Sequence, residues 1–183
     1  PVISVDYRLA PEHPWPTGLN DCIGAYQWAL SQAEHLGAPE GRAAVGGDSI
    51  GGNYAAAICQ EMKKEGAPAP EFQLLIYPSL DFAHETASMK TYQGVYPMTP
   101  EMTDFLLPRL IPEGVDRENR RLSPLCNTDL SDLPQAFIFT AGFDGLQDQG
   151  RLYHERLEEA GSDSMHVCFE TLTHGFVSMM GLS

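Results

Sequence analysis

Residues 43–58 read Ala43-Ala44-Val45-Gly46-Gly47-Asp48-Ser49-Ile50-Gly51-Gly52-Asn53-Tyr54-Ala55-Ala56-Ala57-Ile58, and this stretch decides the fold. Ala43-Ala44-Val45 is short and apolar, like a buried strand, while Ile50, Tyr54, Ala57 and Ile58 fall at the spacing of an amphipathic helix. The glycine-rich run between them reads as a sharp strand-to-helix elbow that exposes one hydroxyl, Ser49, within a G-x-S-x-G pattern. A turn this tight strains the serine backbone, and side chains at Gly47 and Gly51, two residues either way, are expected to collide. A phosphate-binding loop is the rival reading of the glycines. It fails because Gly52-Asn53 stands where that motif needs Lys followed by Ser or Thr.

Working outward, residues 2–6, 43–47, 72–77, 135–141 and 165–170 are apolar, β-rich runs. Helical patterns lie between most of them: Cys22, Tyr26, Ala29, Ala33 and Leu36 make one apolar face, and Tyr153, Leu157 and Ala160 another. Alternating strands and helices predict an α/β fold with a mostly parallel sheet covered on both faces. One connection, at about 80–123, breaks the rhythm. It carries its own helix signal in Thr99-Pro100-Glu101, a cap, a proline at the first helical position and an acid near the positive end. Met102, Phe105 and Leu106 supply an apolar face that is expected to end at Pro108. Long excursions at the carboxyl edge of such sheets often cover a ligand site, so this one reads as a lid, with plain surface decoration as the alternative.

The chain has 183 residues, 43% of them hydrophobic and 20% charged, which suits one soluble globular domain. Eleven basic against 25 acidic residues leave a net charge of -14, which repels nucleic acid and anionic membrane surfaces. Cys22, Cys59, Cys126 and Cys168 are widely spread, without a C-x-x-C pair, and read as free thiols filling space. No short-spaced Cys or His cluster suggests a metal, and no cofactor is expected. There is no apolar run of transmembrane length, no internal repeat and no low-complexity segment. Pro1 leads directly into a strand pattern, so the chain reads as cut from something longer. A cytoplasmic location is expected, with an upstream signal peptide and the oligomeric state left open.

A serine hydroxyl needs a base, itself oriented by a third group, and on this fold the acid and then the histidine follow the serine. His13, His35, His84, His154 and His166 all have plain explanations as surface or dipole-matched residues. His174 differs: it follows the last strand, in Thr173-His174-Gly175-Phe176, at the edge where Ser49 also emerges. The loop after residues 136–141 offers Asp144 and Asp148. Asp148 precedes a helix and is explained as its cap, which leaves Asp144 as the orienting carboxylate.

On these residues the chain resembles the hormone-sensitive-lipase branch of the α/β-hydrolase esterases, nearly end to end. Tyr7-Arg8-Leu9-Ala10-Pro11-Glu12-His13-Pro14 resembles the branch's YRLAPEHP segment, and GDSIGGN resembles its GDSAGGN elbow with Ile50 in place of alanine. Its DPLRDEG loop is matched by residues 144–150 and its HGF turn by His174-Gly175-Phe176. The resemblance thus implies Ser49 as nucleophile, Asp144 as acid and His174 as base. Gly145, Gln147 and Gln149 replace a proline, an arginine and a glutamate, and loss of the proline is expected to loosen the loop that aims Asp144.

The family's HGGG oxyanion loop is absent from the sequence. The resemblance places it just before Pro1, together with three earlier strands, and implies a helix cut short near Ser183. The segment alone is therefore expected to be nearly inactive. A strand missing between 2–6 and 43–47 should hold those runs about 10 Å apart or let them collapse, without ordinary ladder pairing. The implied activity is hydrolysis of short-chain carboxylic esters, with the backbone N–H of Ile50 donating to the oxyanion and no metal or organic cofactor. An acyltransferase or amidase using the same triad, and a non-catalytic binding module, are the alternatives.

Overall fold

The computed structural model describes residues 1–179. Four strands, β1 (Val45–Asp48), β2 (Phe72–Ile76), β3 (Gln135–Phe143) and β4 (Ser164–Thr173), form one sheet in the order β1-β2-β3-β4. Every pairing is parallel. All four strands therefore deliver their carboxyl ends, and the loops that follow, to one rim. This is the geometry that the alternating pattern predicts.

Helices α1 (Thr17–Ser31), α2 (Ile50–Glu65) and α5 (Gln147–Glu159) supply the helical layer. Ala55, Ala56 and Cys59 of α2 and Tyr153 and Leu157 of α5 bury against Leu75, Ala136 and Ile138 on one face of the sheet. A second cluster packs α1 onto α2 through Leu19, Tyr26, Tyr54, Ile58 and Met62. The alternate strand residues Phe72, Leu74, Phe137 and Phe139 point the other way and line an open groove of about 730 Å³. Helix α1 stops at Ser31, short of the expected Leu36, and residues 32–37 continue as turns that lead to Gly37 at φ 78°. Ala33 still buries. Gly66, at φ 62°, ends α2 in the left-handed conformation that glycine adopts without penalty.

Residues 2–6 do not form the expected strand. They join no ladder, and β1 is the last strand on that side of the sheet. A strand is held by its hydrogen-bonded neighbour, and without one Val2 is 97% exposed despite its β-propensity. The segment is anchored just beyond. Tyr7 packs edge-on to Tyr54, and the Arg8 guanidinium grips Asp21 at 2.7 and 3.0 Å. The hydrogen bond from Arg8 holds the Asp21 carboxyl down at about 2. This contact is therefore present above the usual carboxylate range and is lost only as pH falls through about 2.

The excursion carries α3 (Ala87–Thr91) and α4 (Pro100–Leu110). Thr99 caps α4 as expected, its Oγ1 accepting from the Met102 N–H at 3.3 Å. The helix passes through Pro108 to Leu110 instead of stopping there, and the Ile111 N–H closes it onto Leu107 O at 2.9 Å. Met102, Phe105 and Leu106 remain exposed, so the apolar face is not buried among the described residues. The helix expected to be cut short near Ser183 falls outside the described residues.

The pairing of β3 with β4 contains one irregularity. Ala141 is opposite Phe169 but Phe143 is opposite Thr173, so β4 carries two extra residues in this interval. A Cβ on Gly142 would overlap the main chain of Glu170, so the two backbones approach closer here than any side chain allows. Gly142→Ala is expected to cost about 3 kcal/mol, near the upper end for overpacking, because rigid backbone stands in the way. A fall in the urea midpoint at constant m-value measures it.

Candidate active site

The elbow follows directly from the end of β1. Ser49 has φ 53° and ψ -117°, a conformation that side-chain-bearing residues rarely adopt, and its N–H is held by Ile76 O at 2.9 Å. Helix α2 begins at the next residue, Ile50. The glycines divide the work differently from the sequence expectation. A Cβ on Gly47 would overlap the backbone of Gly51, but a Cβ on Gly51 itself would meet nothing within 4 Å. The second crowded position is Gly52, where a Cβ would lie 2.9 Å from the Pro78 side chain and 3.1 Å from Gly47 O.

The β3–β4 irregularity places the other two side chains. With Phe143 paired to Thr173, the next residues, Asp144 and His174, leave the sheet side by side. His174 Nδ1 lies 2.8 Å from Asp144 Oδ2, and its Nε2 lies 3.0 Å from Ser49 Oγ. A carboxylate can only accept, so the Nδ1 proton is directed at Asp144 and Nε2 offers its lone pair to the hydroxyl. The Asp144 side chain is fully buried, and its second oxygen accepts the Leu146 N–H at 2.8 Å. All three sequence candidates therefore meet in one hydrogen-bonded row.

The family model with the description alpha/beta hydrolase fold matches residues 1–178. The chain belongs to the α/β-hydrolase fold family. Among curated proteins it is 41% identical to the carboxylic ester hydrolase LipN of Mycobacterium tuberculosis, over 99% of this chain and 50% of that protein. It is 34% identical to an ethyl acetate hydrolase of Pseudomonas putida, over 98% of this chain and 57% of that protein. A solved α/β-hydrolase enzyme from the metagenome of Lake Arreo, Spain, superposes with a TM-score of 0.91 at 44% identity, covering 95% of this chain and 55% of that one. The hyperthermophilic esterase of Pyrobaculum calidifontis gives 0.89 at 34% identity, covering 94% and 57%. The chain thus spans about half the length of the curated relatives it matches.

Several residues of this α/β-hydrolase site are not visible as such in the sequence. Tyr77, at the carboxyl end of β2, packs its ring against the His174 imidazole with centroids 4.6 Å apart, and Phe176 meets its edge. Its hydroxyl donates to Asp48 Oδ2 at 3.3 Å. Burial first, and then the Asp48 carboxylate, push the Tyr77 phenol up to about 12, so it stays protonated as that donor. An aromatic residue at the rim end of a strand was the only signal available.

Asp148 is not the helix cap that the sequence suggests. Helix α5 begins at Gln147 without a side-chain cap, and Asp148 sits in its first turn, accepting the Ser88 N–H at 2.8 Å and an Arg151 N–H at 3.2 Å. Burial opposes its charge, but these donors outweigh burial and hold the carboxyl below its usual range. The proline-free loop at Gly145 is pinned from outside, because the Ser88 hydroxyl donates to Gly145 O at 2.7 Å. Gln149, where the family has glutamate, is buried and accepts the Leu80 and Asp81 N–H groups at 2.7 and 3.0 Å. Its amide nitrogen also donates to Asp81 O at 2.9 Å, which a carboxylate could not do.

His154 pairs with Ser164 and His166 with Thr140, so both are structural. The four cysteines are free thiols. No helix among the described residues is long and apolar enough to cross a membrane.

Proposed function

We propose that the protein hydrolyses short-chain carboxylic esters through an acyl-enzyme on Ser49. The observation that carries this reading is the row Ser49 Oγ–His174 Nε2 and His174 Nδ1–Asp144 Oδ2, at 3.0 and 2.8 Å. Oγ attacks the acyl carbon as Nε2 takes its proton, and Asp144 stabilises the imidazolium. The Ile50 N–H, at the positive end of α2, donates to the developing oxyanion. The tetrahedral intermediate collapses as Nε2 returns the proton to the leaving alcohol. Water then attacks the acyl-enzyme by the same proton path and releases the acid. Every proton transfer has a protein partner, so no metal is required on this path.

The preference for short acyl chains rests on the branch resemblance and on a relative named ethyl acetate hydrolase. We assign the excursion at 80–123 to a cap beside the rim. Asn53, fully buried in the first turn of α2, holds both ends of it by donating to Ser79 O at 2.6 Å and Leu122 O at 2.7 Å.

The experiment is a p-nitrophenyl ester series from acetate to palmitate on the full-length protein, with products analysed in the presence of added methanol. Acetate and butyrate should turn over fastest, water should be the main acceptor, and a chelator should leave the rate unchanged. Predominant transfer to methanol would make the protein an acyltransferase instead. Binding of the esters without turnover would make it a binding module.

A further inference from the structure

Along the chain Asp81, His84 and Cys126 lack the spacing of a metal motif, yet the fold gathers them into one cluster, on a cavity whose lining includes none of Ser49, Asp144 and His174. Asp81 and His84 stand where the excursion leaves the sheet. Cys126 ends the 3₁₀ turn Pro124–Cys126, where it returns. His84 Nδ1 is 3.0 Å from Asp81 Oδ2, and Cys126 Sγ is 3.6 Å from Asp81 Oδ1 and 3.9 Å from His84 Nδ1. Tetrahedral coordination with nitrogen or oxygen bonds near 2.0 Å and a sulfur bond near 2.3 Å puts such ligand atoms roughly 3.3–3.6 Å apart. The shorter contacts run through different Asp81 oxygens, but one ligand atom from each residue lies within 4.8 Å of the other two, so side-chain adjustments of about 1 Å would seat a cation among the three.

The ligand atoms are also aimed. Asp81 is 8% exposed, and its Oδ1 accepts the N–H groups of Ala83 and His84 at 2.7 and 3.0 Å. Its main chain is held by Gln149 on both sides. Without a cation the His84 Nδ1 proton is directed at Asp81 Oδ2 at 3.0 Å; a cation bound at Nδ1 would move that proton to Nε2, which faces Glu118 Oε1 at 3.7 Å. A cavity of about 360 Å³ lined by these four residues leaves room for a water ligand. The nearest cationic group on its wall, Arg156, is engaged with the main-chain oxygens of Leu125 and Asn127.

We propose that Asp81, His84 and Cys126 bind a borderline-soft divalent cation of the Zn²⁺ class, with water in the fourth position and Glu118 orienting His84. On binding, the Cys126 thiol releases its proton to solvent, the thiolate, imidazole and carboxylate lone pairs form the bonds, and nothing is oxidised or reduced. The cation ties together the two ends of the excursion. It shares no ligand with Ser49, Asp144 or His174, so this proposal and the esterase reading stand or fall separately.

The test titrates the chelator-stripped protein, free of any histidine tag, with Zn²⁺ against a chromophoric competitor, and with Co²⁺ followed by absorption. One Zn²⁺ should bind at micromolar or lower concentration and raise the thermal midpoint. Co²⁺ should give a sulfur-to-metal charge-transfer band. Cys126→Ser should remove that band, and His84→Asn, at an exposed ring, should weaken Zn²⁺ at least tenfold and abolish the thermal shift while ester hydrolysis continues. Absence of stoichiometric binding, or unchanged affinity and absorption in both variants, overturns the proposal.

Discussion

Ser49→Ala is expected to reduce ester hydrolysis by on the order of 10⁵- to 10⁶-fold in kcat and to abolish labelling by a fluorophosphonate. The loss is this large because Oγ is both the atom that bonds to the acyl carbon and the donor of the proton that Nε2 receives. The two functions disappear together. For the same reason Ser49→Ala combined with His174→Ala should be little worse than either alone, since the residues act as a unit. Stability should change little, because alanine keeps the strained φ of 53° and removes one partly exposed hydroxyl. Labelling that persists in Ser49→Ala would move the nucleophile elsewhere and remove the basis of the proposed function.

Asp144→Asn should lower kcat by about 10⁴-fold with KM nearly unchanged, and local hydrogen bonding gives the reason. Asp144 Oδ1 accepts the Leu146 N–H, so an asparagine keeps its carbonyl oxygen on that donor and turns its NH₂ toward His174. An NH₂ facing Nδ1 demands a lone pair there, which forces the proton onto Nε2, against the Ser49 hydroxyl. The base then has no lone pair for its proton. Asp148→Asn, whose carboxylate serves Ser88 and Arg151, should stay within about threefold of the parent rate because it touches none of the three reacting side chains. Steady-state kinetics on the two variants separates the candidate acids. A slow Asp148→Asn beside an active Asp144→Asn would reverse the assignment.

The readings that succeeded from sequence rest on short-range signals. The elbow needs only neighbouring residues, since Gly47 must clear Gly51 and a helix must follow at once. The strands at 72–76 and 135–143 lie close to their apolar runs because a parallel strand with buried positions is rich in apolar residues, whereas 164–173, which has no buried position, extends beyond its apolar run at both ends. Where a segment depends on a neighbour far along the chain, the same signals fail. Residues 2–6 have strand composition but no ladder partner, and the apolar face of α4 faces solvent. Asp148 has the sequence position of a cap, but the path of α3 makes it the acceptor for Ser88 instead.

From residue order alone came the parallel α/β architecture, the exposed serine and a short choice of acids and bases, because periodicity and turn sterics act within a few residues. Folding settled what meets what. A two-residue surplus on β4 beside Gly142 sets Asp144 against His174, Tyr77 backs the imidazole, and the closed excursion brings Cys126 to Asp81 and His84. With the Ser49–His174 contact, these encounters join residues up to 125 positions apart, and their geometry depends on ladder register and packing density, which no local pattern encodes.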